Sequence, residues 1–459
     1  MKVIKKKLVL FILMIATSNY SCKKFLEVGP PKDQATSTEL FSNDASATSA
    51  ITGVYSRMVT SGAFSGNQNS ISALCGLSAD DFNSYNSSLA LFDNNDIPTT
   101  NFVLQTFLWQ EPYAYIYTSN AVLKGLKTAT GVSASTNKQL QGEAKFIRAF
   151  CYFYLVNLFG DVPLNLSSDY TISELTPRSS TAEIYNQIIA DLTDAENLLS
   201  ENYITSERVR PNKWTAEALL SRVYLYTGKW DLAIQAATDV INQTSTYALV
   251  DNLNGVFLKN STEAIWQLLP TAGRNTREGT LFILTSTPIF VSLSPSFVSQ
   301  FAPNDNRKTQ WINQFTNSTG TYYYPYKYKV RTTINGSIVE YSMVIRLAEL
   351  YLIRAEAQTE LGQSNLALND INIIRKRAGL ITPLLNLNSE ECLTEIEKQR
   401  HLELFSEWGH RWLDLKRTNR ASAVLSLLKG SSWKETDALY PIPEVDISRN
   451  PKITQNPGY

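Results

Sequence analysis

The stretch from Ala144 to Phe159 decides what this chain can fold into, because it is apolar on nearly every side at helical spacing. Thr136 and Gln139 form a capping box, and Ala144, Ile147, Cys151, Tyr154 and Leu158 follow at three- and four-residue steps until Gly160 stops the run. Phe146, Phe150 and Phe153 make the opposite face apolar as well. A helix with no face to give to water must be wrapped by others, which predicts a mainly α, helical domain. Ser180 and Glu183 open a second helix with Ile184, Ile188, Leu192, Ala195 and Leu199 on one stripe, and the two are expected to pair antiparallel.

A weak internal repeat sharpens this. Ala216-Glu217-x-x-Leu220-x-Arg222 matches Ala348-Glu349-x-x-Leu352-x-Arg354, and each copy is followed by a turn glycine, Gly228 or Gly362, with Ala233 or Ala367 five residues later. Small residues at fixed helical positions let paired helices approach closely, the logic of tetratricopeptide helix-turn-helix units. The copies lie far apart in the chain, which predicts scattered units within one fold rather than a tandem solenoid. Residues 61–100, rich in Ser, Asn, Gly and Asp, and 271–337, rich in aromatics, Pro and Thr, are expected to be long loops with a few short strands.

The N-terminus constrains destination. Lys2, Lys5, Lys6 and Lys7 precede an apolar run, Leu8 to Ala16, that is too short for a membrane helix, which needs about 20 residues. It reads as an export signal. Ala16-Thr17-Ser18 would suit ordinary secretory cleavage, whereas Ser21-Cys22 suits a lipoprotein signal in which Cys22 becomes the acylated first residue, and the second is preferred. Residues 1–21 are thus read as a signal peptide, 22–38 as a lipidated tether bearing Pro30 and Pro31, and 39–459 as one α-helical body with halves at about 39–230 and 260–459.

Lys and Arg together number 42, as do Asp and Glu, and the leader removes four lysines and no acid. No basic footprint for nucleic acid exists. Cys75, Cys151 and Cys392 permit at most one disulfide, and Cys151, on the apolar helix, is expected to be a buried free thiol. His401 and His410 are the only histidines, and no CxxC or HExxH surrounds them, so neither a metal site nor a cofactor is expected.

Four stretches, in order across the whole body, resemble the SusD/RagB family of outer-membrane nutrient-binding lipoproteins. They are Cys22-Lys23-Lys24-Phe25-Leu26-Glu27; Gly142-Glu143-Ala144-Lys145-Phe146-Ile147-Arg148-Ala149-Phe150 running on to Phe159-Gly160-Asp161-Val162-Pro163; Glu403-Leu404-Phe405-Ser406-Glu407-Trp408-Gly409-His410-Arg411-Trp412-Leu413-Asp414-Leu415-Lys416-Arg417; and Leu439-Tyr440-Pro441-Ile442-Pro443 with the closing Gln455-Asn456-Pro457-Gly458-Tyr459. The resemblance implies a single domain of tetratricopeptide-like helix pairs. It further implies a lipid anchor in the outer membrane at the cell surface, an oligosaccharide or similar nutrient as ligand, and a SusC-like TonB-dependent transporter as partner.

Within these motifs Glu143 and Arg148, on an interior helix, must find partners, since an unpaired buried charge costs several kcal/mol. Glu407 with Arg411, and Asp414 with Arg417, are spaced to pair along one helix. Glu403 and Glu407 could instead serve as a glycosidase-like carboxylate pair. Adjacent arginines would hold both ionised when one needs a raised pKa, so catalysis is not expected. Pro441, Pro443, Pro451 and Pro457 predict an extended closing segment.

Sugar rings stack on aromatic planes while their hydroxyls seek amides, carboxylates and arginine. In relatives the ligand site lies on loops outside the helical repeats, which the resemblance maps to residues 80–100 and 270–325. The candidates there are Tyr85, Phe92, Trp311, Tyr322 and Tyr323, with Asn83, Asn86, Asp93 and Arg274 as polar companions. Trp109, at helical spacing with Tyr113, Ile116 and Asn120, is assigned to the core, and Tyr326 and Tyr328 to structure. The alternative function is a helical-repeat adaptor that holds proteins and takes no small ligand.

Overall fold

The computed structural model describes residues 37–60, 62–271, 273–332 and 336–459. The signal peptide, Cys22 and nearly all of the tether lie outside the described residues.

The apolar helix is central. It runs Ala134–Phe159, and Glu111–Thr128 (α1) packs on it (α2) from one side while Thr181–Leu198 (α3) packs from the other. Gly142 lies against Leu199, Lys145 reaches Asp194 at 2.6 Å, Arg148 meets Asp191 at 2.6 Å, and Asn157 accepts from the Tyr185 hydroxyl at 3.1 Å. One set of numbers rises as the other falls, so α2 and α3 are antiparallel as expected. The start of α2 differs from expectation. Ser133, not Thr136, is its N-cap, and its hydroxyl accepts from the Thr136 backbone N–H. Gly160 ends it at φ 72°, a conformation that costs an L side chain dearly.

From α3 the helices continue as a stack: Lys213–Tyr226 (α4), Trp230–Ile241 (α5), Leu347–Glu360 (α6), Ser364–Arg377 (α7) and Ser389–Leu404 (α8). The two repeat copies, α4–α5 and α6–α7, are neighbours in space, with α5 against α6. Arg222 of the first copy pairs with Glu349 of the second at 2.6 Å. What the sequence scatters, folding makes consecutive. The segment between the copies leaves and returns through two antiparallel strands, Ala264–Leu268 (β2) and Ser342–Arg346 (β6), both fully buried.

Beside this array lies a four-stranded antiparallel sheet in the order Phe82–Ser84 (β1), Val291–Leu293 (β3), Gly320–Pro325 (β5), Ile312–Asn317 (β4). The 61–100 region is more ordered than its composition implied, since it contains helices Ile71–Ser78 and Ser87–Asp93 as well as β1. One buried apolar cluster takes residues from Phe41 to Ile453. The closing segment crosses the end of α2: Tyr440 donates its N–H to Leu158 O, and Asn456 Nδ2 donates to both Phe159 O and Tyr440 O. The three cysteines after the tether are buried free thiols. Among the described residues no helix is long and apolar enough to cross a membrane.

Candidate ligand-binding face

Alternation along the sheet decides which side chains face outward. Phe82 stacks on Phe282 in the core and Tyr323 packs against the same core, so their neighbours Asn83 and Tyr322 take the other face. Asn83 stands opposite Ser292, and Tyr322 opposite Phe315. Tyr85, just past β1, meets Tyr322 edge to face with centroids 5.8 Å apart and shares a hydrogen bond with the Ser292 hydroxyl at 3.0 Å. Tyr85 is 39% exposed, and Tyr322 and Phe315 are half-buried. The result is an outward row of rings fixed by its own contacts, with the Tyr322 hydroxyl 2.9 Å from that of Thr319.

The hairpin β4–β5 that carries this row is clamped at its root. Trp311 precedes it and Lys327 follows it, and Tyr326 N–H donates to Trp311 O at 2.7 Å. Trp311 is fully buried, with its indole N–H on Leu253 O at 2.9 Å and the Lys327, Arg346 and Arg377 cations around its ring. Lys327 donates to Glu403 O, Phe405 O and the Glu407 carboxylate. Burial drops its ammonium to about 8 against the pull of Glu407. Beneath them Arg346 joins Glu403 (2.6 Å), Glu407 (2.8 Å) and Glu263 (2.9 Å), Arg377 bridges Glu263 and Glu403, and Arg307 ties Asp305 (2.7 Å) to Glu403 (3.2 Å). The outward face of the sheet thus stands on a buried ionic knot.

The residues expected at the site divide between core and surface. Trp311 is an anchor in the core and not a ligand contact. Phe92 is likewise fully buried, against Tyr440, and is withdrawn for the same reason. Tyr323 turns to the core side. Asn86 caps helix Ser87–Asp93 by accepting from Ser88 N–H, and Asp93 accepts from the N–H and hydroxyl of Ser84, so both shape the loop that presents Tyr85. Arg274 is exposed and lines a separate cavity of about 410 Å³ with Asn67, Gln68, Arg277, Phe290 and Arg331. That cavity adjoins the row through Phe290, whose carbonyl accepts the Tyr85 N–H at 2.8 Å. Sequence reasoning missed Phe315, although Asn317-Ser318-Thr319-Gly320 between two alternating runs is a hairpin signal that would have fixed its register opposite Tyr322.

Glu407 does not pair with Arg411, which instead reaches Asp80 (2.7 Å) and Glu397 (3.0 Å). Asp414 and Arg417 do pair, at 2.8 Å. Glu143 is held by Arg210 at 2.5 Å and by the Tyr55 hydroxyl at 2.8 Å. Burial would raise Glu403 and Glu407, but Arg377, Arg346 and Arg307 hold the first well below the usual carboxylate range, and Arg346 and Lys327 lower the second. Neither can store a proton for acid catalysis. Asp80, Asp81 and His401 each bring a ligand atom within 4.8 Å of the others. Asp80 is committed to Arg411 and Asp81 lies 2.7 Å from His401 Nε2, which makes the group a charge-paired support for the turn into β1.

A helical-repeat frame that fixes an outward aromatic row defines a class of scaffold-borne binding proteins. Residues 24–225 match a family described as starch-binding associating with outer membrane, and residues 294–459 match the SusD family. This chain belongs to the SusD/RagB family, a carbohydrate-binding family. A SusD-like protein of Formosa agariphila is 26% identical over 80% of this chain and 82% of its own. A laminarin-binding SusD-like protein superposes with TM-score 0.77 at 26% identity, covering 91% of this chain and all of the other (100%). A SusD superfamily protein from Bacteroides vulgatus shares the fold with TM-score 0.78 at 22% identity, over 91% of this chain and 99% of that one.

Proposed function

We propose that this protein is a non-catalytic, lipid-anchored outer-membrane protein of the cell surface that captures an oligosaccharide on the face of Tyr85, Tyr322, Phe315 and Asn83. It then passes the sugar to a SusC-like TonB-dependent transporter. The observation that carries this reading is the fixed ring pair Tyr85–Tyr322, partly open to solvent. Rigid aromatic faces take the apolar side of a pyranose with little loss of conformational freedom, and Asn83 and the tyrosine hydroxyls can meet its hydroxyls. The laminarin-binding relative supports a glycan ligand, as does the match of one segment, 35% identical over 123 residues, to the starch-binding protein SusD of Bacteroides thetaiotaomicron.

Calorimetric titration of the purified mature protein with a panel of oligosaccharides tests it. Saturable heat is expected for at least one glycan, weakened about tenfold or more, roughly 1.4 kcal/mol, by Tyr85→Ala or Tyr322→Ala. Silence across the panel, or affinities indifferent to both substitutions, would overturn it.

A further inference from the structure

The arginines of this chain are mostly spoken for. Arg148, Arg222, Arg307, Arg346, Arg354, Arg377, Arg400, Arg411 and Arg417 all form ion pairs. The cavity beside Tyr85 is different. Arg274, Arg277 and Arg331 all line it, and among the described residues none is in an ion pair. Arg277 spends its Nε–H on Val59 O and Arg331 its Nε–H on Ile283 O, and their terminal guanidinium nitrogens have no hydrogen-bond partner among the described residues. Arg274 is exposed and its side chain has no partner among the described residues. Three cations face one space in a chain whose formal net charge is zero.

The acidic member of the wall does not cancel them. Glu278 is buried, with one carboxylate oxygen accepting from the Ser342 hydroxyl and the other, Oε2, without a hydrogen-bond partner. Burial raises its carboxyl to about 7 despite Ser342 and Arg277.

We infer that this cavity receives an anionic substituent of the bound glycan, a carboxylate or sulfate ester, on Arg274, Arg277 and Arg331, making the protein selective for acidic oligosaccharides. The inference rests on the proposed function and deepens it. Guanidinium forks fit planar carboxylates and sulfates through two parallel hydrogen bonds. Asn67 and Gln68 supply neutral polar contacts at the cavity opening. Phe290 joins the cavity to Tyr85, so one sugar stacks on the aromatic row while its neighbour's charge enters the cavity.

Affinity measurements with size-matched oligosaccharides test this. Laminari-oligosaccharides serve as the neutral arm, oligomannuronates as the carboxylate arm and carrageenan oligosaccharides as the sulfate arm. At least one acidic arm is expected to bind tenfold or more tightly than the neutral arm, and to weaken steeply as salt is raised. Arg277→Gln with Arg331→Gln should abolish that preference, with the thermal midpoint recorded alongside to read separately the loss of their bonds to Val59 O and Ile283 O. Arg274→Gln alters a side chain with no partner among the described residues and should weaken acidic binding severalfold even if the double variant proves unstable. Equal affinity for neutral and acidic arms, or a preference that survives these substitutions, overturns the inference while leaving glycan binding intact. Binding to none of the three arms, with saturable heat for another neutral glycan, also overturns it. Binding to no glycan at all sinks the proposed function with it.

Discussion

Glu217 and Glu349 occupy the same position in the two repeat copies, yet their surroundings drive them in opposite directions. Burial pushes Glu349 up, but Arg222 and His410 more than offset it and hold it at about 2. Glu217 is also buried, though less deeply, has an orphaned Oε2, and forms no ion pair among the described residues. Burial, with Glu196 and Asp239 nearby, raises it to about 8. An acid whose folded pKa is raised costs stability progressively as pH climbs from its unfolded value toward the folded one. Glu217→Gln should therefore stabilise the protein at pH 8 by about 1–3 kcal/mol, with the gain vanishing below about pH 4. Urea midpoints of both proteins at the two pH values check this, and a constant difference would refute it. The sequence marks these two glutamates as equivalent because a motif records position on a helix, whereas ionisation depends on what another element brings alongside. Trp311 and Tyr85 differ for the same reason. Both are aromatics in loop-like composition, and only the packing of Lys327 and Arg346 over one of them decides which is core.

At the scale of elements, legibility followed periodicity. The body of α2, its stop at Gly160 and the Ser180–Glu183 capping box were readable because each is set by residues within a few positions, whereas the true N-cap of α2, Ser133, was not. The short helices of residues 71–93 were not, since eight or fewer residues give too few turns to establish a period. The turn glycines were readable, and they carry a testable load. Gly228 and Gly362 sit at φ 66° and 74° between the helices of each pair. A Cβ on Gly362 would meet nothing within 4 Å, so any loss on substitution comes from the backbone alone. Gly362→Ala should cost about 1–2 kcal/mol in urea unfolding with ligand affinity unchanged. Gly362→Asn, a residue that tolerates the left-handed region, should recover part of it.

Across the whole molecule, stability is tied to buried carboxylates whose titration is displaced downward. Glu349 is held at about 2, Glu403 and Asp414 lie well below the ordinary range beside their arginines, and Glu407 is lowered by Arg346 and Lys327. Their contribution is complete above their unfolded values near pH 4 and is lost as pH falls through the folded ones. Burial holds His410 near 4, which adds a loss from about pH 6.5 downward. Glu111 and Glu278, both raised to about 7, run the other way over the same interval and offset it. The decisive collapse is thus expected below about pH 4, steeply and cooperatively, and near-UV circular dichroism against pH should record it. A midpoint near pH 6 would contradict the ionic knot as the principal support. The motifs that reveal the family also contain this knot, which is why the frame was legible, while its partners Glu263, Arg307, Lys327 and Arg346 come from elsewhere in the chain and could not be assigned by spacing.

The sheet that bears the rings takes β1 from the N-terminal part of the chain and its other three strands from the excursion between the repeat copies. Tyr85 and Tyr322 therefore come together only once both halves have been synthesised and docked. A truncated or half-assembled polypeptide carries every residue of neither face nor clamp. On the proposed function, capture of sugar doubles as a quality check on the protein's own completion, and a glycan column is expected to sort finished molecules from unfinished ones.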